Sequence, residues 1–343
     1  MLSTQASTPH HAAPVHEPPA ALRAAGIVVA LTAAIAIVAI AFALPASRSK
    51  PHDVPVGVAG PQAATSQIAE RLEQQAPGAF SVTYYPGENA LREAILHRNV
   101  YGGIAFGPQG PTLLTATGGS PAVAQLLTQI GNGVAAHSGM PLHTEDLAPP
   151  TTQDPRGTGL AASALPITLA GILPAAALVL ALRREVWTRL TAAIAFSALA
   201  GVTVAALLRY VFGSIDSNLW GVAAGLTLGI AAAGLLMLGL GSLFGKVGLA
   251  VGAALALLLG NPLSGLTAAP EMLPAGWGQL GQLLPQGATA TLLRSTAYFN
   301  GAGADTAIIV LSCWVIVGLA LVIMAALRRP ARTAPKMQLR GTR

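Results

Sequence analysis

Six stretches of almost unbroken apolar sequence limit what this chain can fold into. A helix needs about 20 apolar residues to cross the roughly 30 Å hydrocarbon core of a bilayer, and most of these stretches approach that length. They comprise residues 24–44, 165–182, 190–208, 219–240, about 244–259 and 306–327. The fifth is short for a full crossing and ends at Asn261 and Pro262. The pattern predicts an α-helical polytopic membrane protein with six transmembrane helices.

The charge content favours the same class of protein. Only 9% of the residues are charged, against about 25% in ordinary soluble domains, so membrane lipid must surround much of the chain. The formal net charge is +6, but the basic residues stand singly or flank apolar stretches without interleaved aromatic residues, which argues against a nucleic-acid partner. The single cysteine, Cys313, cannot form an intramolecular disulfide.

Residues 1–23 are predicted to form a disordered cytoplasmic tail, because proline and polar residues dominate them. His10, His11 and His16 admit a metal-binding interpretation, although a solvated tail fits them better. The first transmembrane helix is predicted at 24–45. A cleaved signal peptide is the competing interpretation, but its apolar region normally spans about 7–15 residues, so a membrane anchor is favoured.

Residues 46–162 are soluble in character and are predicted to form a small extracytoplasmic α/β domain with its linker, inserted between helices 1 and 2. Apolar residues alternate from Val54 to Val58 and from Phe80 to Tyr84, as they do in strands. Helical spacing follows each of these strands, and two further strands and a third helix come later. The second helix is predicted to carry Arg92 and Arg98 on its outward face. Residues 138–155, rich in proline and polar residues, are predicted to be the linker.

Basic residues indicate the orientation. With a cytoplasmic N-terminus, basic residues are expected between the second and third helices, between the fourth and fifth, and after the sixth. Arg183, Arg184 and Arg189 follow helix 2, Lys246 follows helix 4, and a basic tail at 328–343 follows helix 6. The chain is therefore predicted to be a multi-pass protein of the cell (cytoplasmic) membrane with both termini in the cytoplasm.

Enzymatic and ion-coupling signatures are weak. No Asp, Glu or His lies within an apolar stretch, so coupling to an ion gradient is not expected. Leu240 stands where a phosphate-binding loop ending at Lys246 needs its first glycine, so the chain is not expected to be an ATPase. His137 with Ser138, and His143 with Glu145, are better interpreted as ordinary loop residues than as a triad or metal site. No enzyme activity and no cofactor are predicted.

Glycine spacing predicts helix packing in the fourth stretch. Gly221, Gly225 and Gly229 recur every four residues on one face, which would allow another helix or subunit to approach closely. Simple glycine richness is the alternative. Arg209, near the end of the preceding stretch, is interpreted as extending to the outer interface rather than as a gating residue.

The segment 261–304 is predicted to be a re-entrant extracytoplasmic segment within the five-helix transmembrane domain, 163–327. Prolines break it into short amphipathic helices, and aromatic residues suit the headgroup layer. Non-helical backbone at membrane depth must line protein or a water-filled cavity, so an outer mouth of a pathway fits; an ordinary interfacial loop is the alternative. Its candidate site residues are Asn261, Pro262, Gly265, Pro274, Trp277, Pro285 and Arg294.

The layout resembles the permease subunits of the ABC-2 type exporter superfamily, in particular the branch typified by the YhgE/Pip phage-infection proteins. The most specific local element is the run from Asn261 to Gly265, followed by Leu-Pro, Trp277, Leu-Pro-Gln-Gly-Ala and Leu-Arg steps. The resemblance implies a homodimer and a separate cytoplasmic ABC ATPase that acts on the loop between helices 2 and 3. The matching candidate coupling residues are Arg183, Arg184, Glu185, Trp187 and Arg189.

Two functions follow as hypotheses. The first is the permease subunit of an exporter for a hydrophobic or amphiphilic substrate, because an uncharged helix bundle offers little to a hydrophilic ion. The second is a non-transporting receptor or scaffold whose extracytoplasmic domain binds a cell-envelope partner.

Overall fold

The chain is a largely helical, polytopic membrane protein with a small α/β domain. The computed structural model describes residues 19–108 and 110–328, and within them five helical segments are long and apolar enough to cross a membrane. These segments are Ala20–Ser47, Thr158–Ala181, Val186–Val211, Leu219–Gly260 and Asp305–Leu327. In this part of the chain, α1 (Ala20–Ser47) begins before the predicted start at 24, so residues 20–23 belong to the helix. The predicted histidine-bearing tail before residue 19 and the basic tail after residue 328 lie outside the described residues.

The longest helical segment turns back on itself. Within α8 (Leu219–Leu255), Gly245 has φ 61° and ψ −137°, a conformation that only glycine adopts readily. A Cβ on Gly252 would lie 2.9 Å from the sulfur of Met237, although a continuous helix would separate these residues by about 1.5 Å for each of 15 steps. The two arms therefore run antiparallel. The second arm ends in a π-helical turn, Ala256–Gly260.

The bundle is organised around α8. The helices packed on it are α6 (Ala164–Ala181), α7 (Val186–Ala206), α10 (Pro285–Tyr298) and α11 (Asp305–Leu327). A short helix, α5 (Thr158–Ala162), leads into α6, and α9 (Trp277–Gln282) precedes α10. In contrast, α1 is exposed along most of its length, and its C-terminal end approaches the π-helical turn.

A five-stranded mixed sheet forms the α/β domain. Its strands are β1 (Val54–Ala59), β2 (Phe80–Tyr85), β3 (Gly102–Gly107), β4 (Gly110–Thr115) and β5 (His143–Asp146), in the spatial order β2-β1-β3-β4-β5. The β3–β4 pair is antiparallel and the other pairs are parallel. The accompanying helices are α2 (Gln62–Gln75), α3 (Glu88–Leu96) and α4 (Pro121–Ser138). Apolar residues from α2 and α4 cover one face of the sheet and those from α3 the other, as expected for strands connected by crossover helices.

The predicted linker is not purely a linker. Residues 143–146 form β5, which pairs in parallel with β4 at the edge of the sheet. The interpretation of His143 and Glu145 as loop residues is therefore wrong: Glu145 accepts hydrogen bonds from Arg92 of α3. A four-residue edge strand with polar side chains carries no apolar alternation, and its pairing partner is some thirty residues away in the chain.

The α/β domain is held against one end of the bundle. The N–H groups of Lys50 and His52 donate to the carbonyls of Met272 and Glu271, at 3.0 and 2.9 Å. On the other side, the hydroxyl of Thr151, in the segment that follows β5, donates to the carbonyl of Gly213 in the loop before α8. The end of α1, the segment after α8, the loop before α8 and the α/β domain thus meet at the same end, which we call the outer end.

Candidate functional site

The segment 261–304 forms the floor on which the α/β domain rests. Asn261 and Pro262 follow the last turn of the α8 hairpin, and Gly265 takes a positive φ of 71°. Pro274 precedes α9, Trp277 begins it, and Pro285 occupies the first turn of α10, where its missing N–H is no loss. The predicted outer residues therefore lie together, although only some of them face a cavity.

Arg294 fixes the fold of this segment from inside. Its side chain is only 6% exposed, and its two Nη atoms donate to the carbonyls of Gly265 and Leu266 at 2.6 Å each. One guanidinium thereby satisfies two carbonyls of an irregular loop that would otherwise be buried without partners. We infer that Arg294 positions the loop.

The expectation of short amphipathic helices with aromatic residues in the headgroup layer is wrong for α10. This helix is buried along nearly its whole length, against α8 and α11. Phe299 is 7% exposed and packs into the core of the α/β domain, and Tyr298 is half-buried. These aromatic residues join the two parts of the molecule, a role that depends on contacts distant in sequence.

A cavity of about 750 Å³ lies where the α/β domain meets this floor. Its wall from the domain includes Ile95, Arg98 and Tyr101, and its wall from the floor includes Glu271 and Arg294. The volume falls within the roughly 300–1,000 Å³ of small-molecule sites. Exposed residues such as Gly276 and Gln279 also line it, so the cavity reaches the surface.

Arg98 extends from the α/β domain to the membrane helices. It lies just beyond α3 with a φ of 62°, and its Nη1 donates to the carbonyl of Thr291 at 3.1 Å and to the hydroxyl of Ser295. Its guanidinium lies 5.3 Å from the centre of the Phe299 ring, a cation–π contact. Burial lowers the pKa of Arg98 from its ordinary value, yet an arginine remains charged at neutral pH.

Tyr101 and Glu271 form the second polar contact across the cavity. The tyrosine hydroxyl donates to a carboxylate oxygen of Glu271 at 2.8 Å. Burial raises the pKa of Tyr101 well above its ordinary value, and the neighbouring Glu271 charge raises it further. Tyr101 therefore stays a neutral hydrogen-bond donor to Glu271.

Helix α9 separates the cavity from an apolar groove. Gly278, Gln279 and Gln282 of this helix line the cavity. Trp277 and Leu280 line a groove of about 550 Å³ between the outer half of α1 and the second arm of α8. Every side chain along this groove is apolar. A polar site and an apolar site thus share one short helix as their common wall.

The candidate coupling residues lie at the opposite end of the molecule. The connection between α6 and α7 is only 182–185, and Trp187 and Arg189 belong to the first turns of α7. Arg183, Arg184 and Glu185 are exposed, and Trp187 is 61% exposed, whereas Arg189 is 1% exposed. Arg189 is therefore a buried helix residue rather than part of an exposed loop.

The glycine series lies against α10. A Cβ on Gly225 would be 3.1 Å from Leu292, and one on Gly229 would be 2.3 Å from the hydroxyl of Thr289. Gly221 instead lies beside Asn218, whose side chain caps the start of α8. The close neighbour of the series is thus a helix of the same chain, in the segment predicted to be re-entrant.

Sequence reasoning missed Arg98, Tyr101 and Glu271. It placed Arg98 on the outward face of a helix together with Arg92, whereas α3 ends at Leu96 and the positive φ of Arg98 redirects its side chain. No spacing signal links Tyr101 to Glu271, because 170 residues separate them. Arg294 was named, but as an isolated outer charge.

Within residues 19–108 and 110–328, no three His, Cys, Asp or Glu side chains come together to hold a metal ion. Comparison of the chain with protein-family models, with curated proteins and with solved structures found no match.

Proposed function

We propose that this protein is the permease subunit of an ABC-2 type exporter that moves a hydrophobic or amphiphilic substrate across the cytoplasmic membrane, driven by a separate ATPase. The observation that carries the proposal is the adjoining pair of spaces at the outer end, one polar and one apolar. An amphiphile presents both kinds of surface at once, and a hydrophilic ion does not.

The proposed topology has six crossings with both termini in the cytoplasm. It is supported by the reversal at Gly245, which splits the longest helical segment into two antiparallel arms. Arg183, Arg184 and Lys246 lie at the end opposite the α/β domain, where the packing of α6 on α8 brings both turns together. Placing basic residues inside puts the α/β domain outside.

The energy source in this proposal is a cytoplasmic ATPase, because the six apolar stretches of the sequence contain no acidic residue to couple an ion gradient. Its contact surface includes the exposed Arg183 and Arg184, near the exposed turn at Lys246. The working unit is a homodimer, as the resemblance implies, with lipid around the remaining apolar faces and no nucleic-acid partner.

The test is reconstitution with each ATPase encoded beside the gene. We expect one of them to bind the purified chain and to change its ATP turnover in proteoliposomes. Reversing both charges, Arg183→Glu with Arg184→Glu, should weaken binding about tenfold or more, because like charges then face each other. Arg71→Glu, on the exposed face of α2 in the outer domain, is the matched control and should change nothing. If no ATPase binds or changes its turnover, the permease proposal fails.

The second candidate, a receptor or scaffold without transport, is favoured by one observation. The connection at 182–185 is short, and the burial of Arg189 leaves little surface there for an ATPase. For this function, deletion of 53–160 should abolish activity in cells, whereas substitutions at Arg183, Arg184 and Glu185 should have no effect.

A further inference from the structure

The charges lining the outer cavity are unevenly matched. Two guanidinium groups that are buried or half-buried, Arg294 and Arg98, contribute to its wall, and Glu271 is the one acidic lining residue that is also half-buried. Asp53 also lines the cavity, but it is exposed, so water screens its charge.

Neither arginine is neutralised by a salt bridge within the described part of the chain. Arg294 donates to two backbone carbonyls, and Arg98 donates to a carbonyl and a hydroxyl. The Glu271 carboxylate accepts from Tyr101. Two like charges in a partly buried space raise each other's energy, and an anion placed between them would offset that cost.

The apolar groove supplies the other half of the site. It opens beside the outer half of α1, where Ile37, Ile40 and Leu44 face the second arm of α8. Because residues 20–40 of α1 are exposed and the helix approaches the second arm of α8 near its outer end, bilayer lipid has lateral access to this groove. Trp277 and Leu280 close it on the side of α9, whose other face borders the cavity.

We propose that these two spaces form one binding site for an anionic membrane lipid, with its headgroup in the cavity beside Arg98 and Arg294 and an acyl chain in the α1–α8 groove. The lipid would pass around the exposed start of α9, where Gly276 lines the cavity and the next residue, Trp277, lines the groove. This inference rests on the proposed function, because it names the class of amphiphile that the permease carries. The acidic headgroup offsets the excess positive charge, and the chain covers apolar surface in the same binding event.

The test is direct lipid binding to the full-length chain without any ATPase. Native mass spectrometry of the purified protein should show dioleoyl phosphatidylglycerol retained more tightly than dioleoyl phosphatidylcholine, which has the same chains and no net charge. Equal retention of the two lipids would overturn the proposal.

Variants locate the two halves of the site. Arg98→Gln should weaken phosphatidylglycerol binding about tenfold to a hundredfold, the range for one charge-assisted hydrogen bond, and should leave phosphatidylcholine binding unchanged. Arg98→Lys keeps the charge and should retain part of the selectivity. Arg71→Gln, an exposed arginine on α2, is the matched control. Selectivity that survives Arg98→Gln would contradict the proposal.

The groove is tested by Ala41→Trp, which fills it from α1. This variant should weaken binding of both lipids. If inorganic phosphate displaces phosphatidylglycerol at equal concentration, the acyl chain contributes nothing and the lipid proposal fails.

Tryptophan quenching in the wild-type chain tests the site without any substitution, so its result does not depend on whether a variant folds. Phosphatidylglycerol brominated on its acyl chains should quench tryptophan fluorescence of the wild-type chain more than brominated phosphatidylcholine does, because Trp277 lines the groove. Equal quenching would overturn the proposal. If the chain selects anionic lipid but does not couple to an ATPase, the binding-site proposal holds and the export proposal fails. If it couples to an ATPase but shows no lipid selectivity, only the binding-site proposal fails.

Discussion

Asp154 connects three segments of the chain at the outer end through hydrogen bonds to its carboxylate. Its carboxylate accepts from the N–H groups of Thr158 and Gly159 at 2.9 and 2.8 Å, and from the hydroxyl of Ser214 at 2.8 Å. It therefore ties the segment after the α/β domain to the start of α5 and to the loop before α8. Burial by itself would raise the pKa of Asp154, but these hydrogen bonds to the charged form outweigh it, so the pKa is lowered.

The lowered pKa predicts a specific dependence of stability on pH. A carboxyl whose folded-state pKa is depressed stabilises the fold above its unfolded pKa of about 3.9, and this contribution is lost as the pH falls towards the folded value. We expect Asp154→Asn to reduce stability at pH 7 by about 1–3 kcal/mol. The gap from wild type should narrow below about pH 4.

Thermal unfolding of the purified chain between about pH 2 and pH 7 measures this difference, because the narrowing is expected below about pH 4. Glu70→Gln, which removes an exposed carboxylate on α2, serves as control and should follow the wild-type curve. A gap for Asp154→Asn that stays constant or widens on acidification would show that Asp154 does not act through its charge.

At the scale of elements, α10 links the membrane helices to the outer site. It packs on α8 through Gly225 and Gly229, and near its start the indole of Trp314 from α11 donates to the carbonyl of Leu283 at 2.8 Å. Also on α10, Arg294 donates a hydrogen bond to the carbonyl of Gly265 in the loop after α8, and the hydroxyl of Ser295 accepts one from Arg98. A shift of α10 against α8 would therefore reach both walls of the cavity.

The glycine contact can be tested by adding one methyl group. In Gly229→Ala, the new Cβ would lie 2.3 and 2.5 Å from the Oγ1 and Cγ2 of Thr289. We expect a loss of about 1–3 kcal/mol in stability, typical of overpacking. Thr289→Ala removes these two atoms and leaves only its Cβ, at 2.9 Å, so the double variant should recover part of the loss.

The control is Gly26→Ala in α1, where nothing lies within 4 Å of the added methyl group. Its melting temperature in detergent should match that of the wild type or exceed it, since alanine favours helix. Equal effects of Gly229→Ala and Gly26→Ala would mean that α10 does not pack closely on α8 in solution.

At the scale of the whole molecule, the arrangement separates two ends with different chemistry. The α/β domain, the charged cavity and the irregular segment before α10 lie at one end. Exposed arginines, Lys246 and the exposed aromatic residues Trp187 and Phe244 lie at the other. This asymmetry suits the proposed permease, in which energy would enter from one side and substrate would leave on the other.

The six-crossing topology predicts opposite accessibility of two exposed sites. In a Cys313→Ser background, Glu70→Cys should react with a membrane-impermeant maleimide on intact cells, because the proposed orientation places α2 outside. Lys246→Cys, at the turn within α8, should react only after permeabilisation. Labelling of both from the outside would contradict six crossings and the orientation together.

The apolar stretches predicted the membrane helices to within a few residues at most ends, because compatibility with lipid is a property of each local segment. The turn at Gly245 was predicted a few residues too early, since the fourth and fifth stretches were separated at 240–244 and Gly245 falls just inside the fifth. In contrast, β5 was predicted as linker, because its four polar residues form a strand only by pairing with β4. Arg98 was assigned to solvent, because helical spacing cannot show where α3 ends.

The sequence by itself therefore determined that the chain lies in a membrane, how many apolar stretches it has and where the soluble insertion falls. Membrane insertion and orientation depend on the hydrophobicity and charge of each local segment, so they can be predicted without knowing the tertiary contacts. The tertiary structure decided that Arg98, Tyr101, Glu271 and Arg294 meet around one cavity, and that α9 divides it from the apolar groove. Those contacts join residues up to about two hundred positions apart, and only the packing of the α/β domain on α10 brings them together.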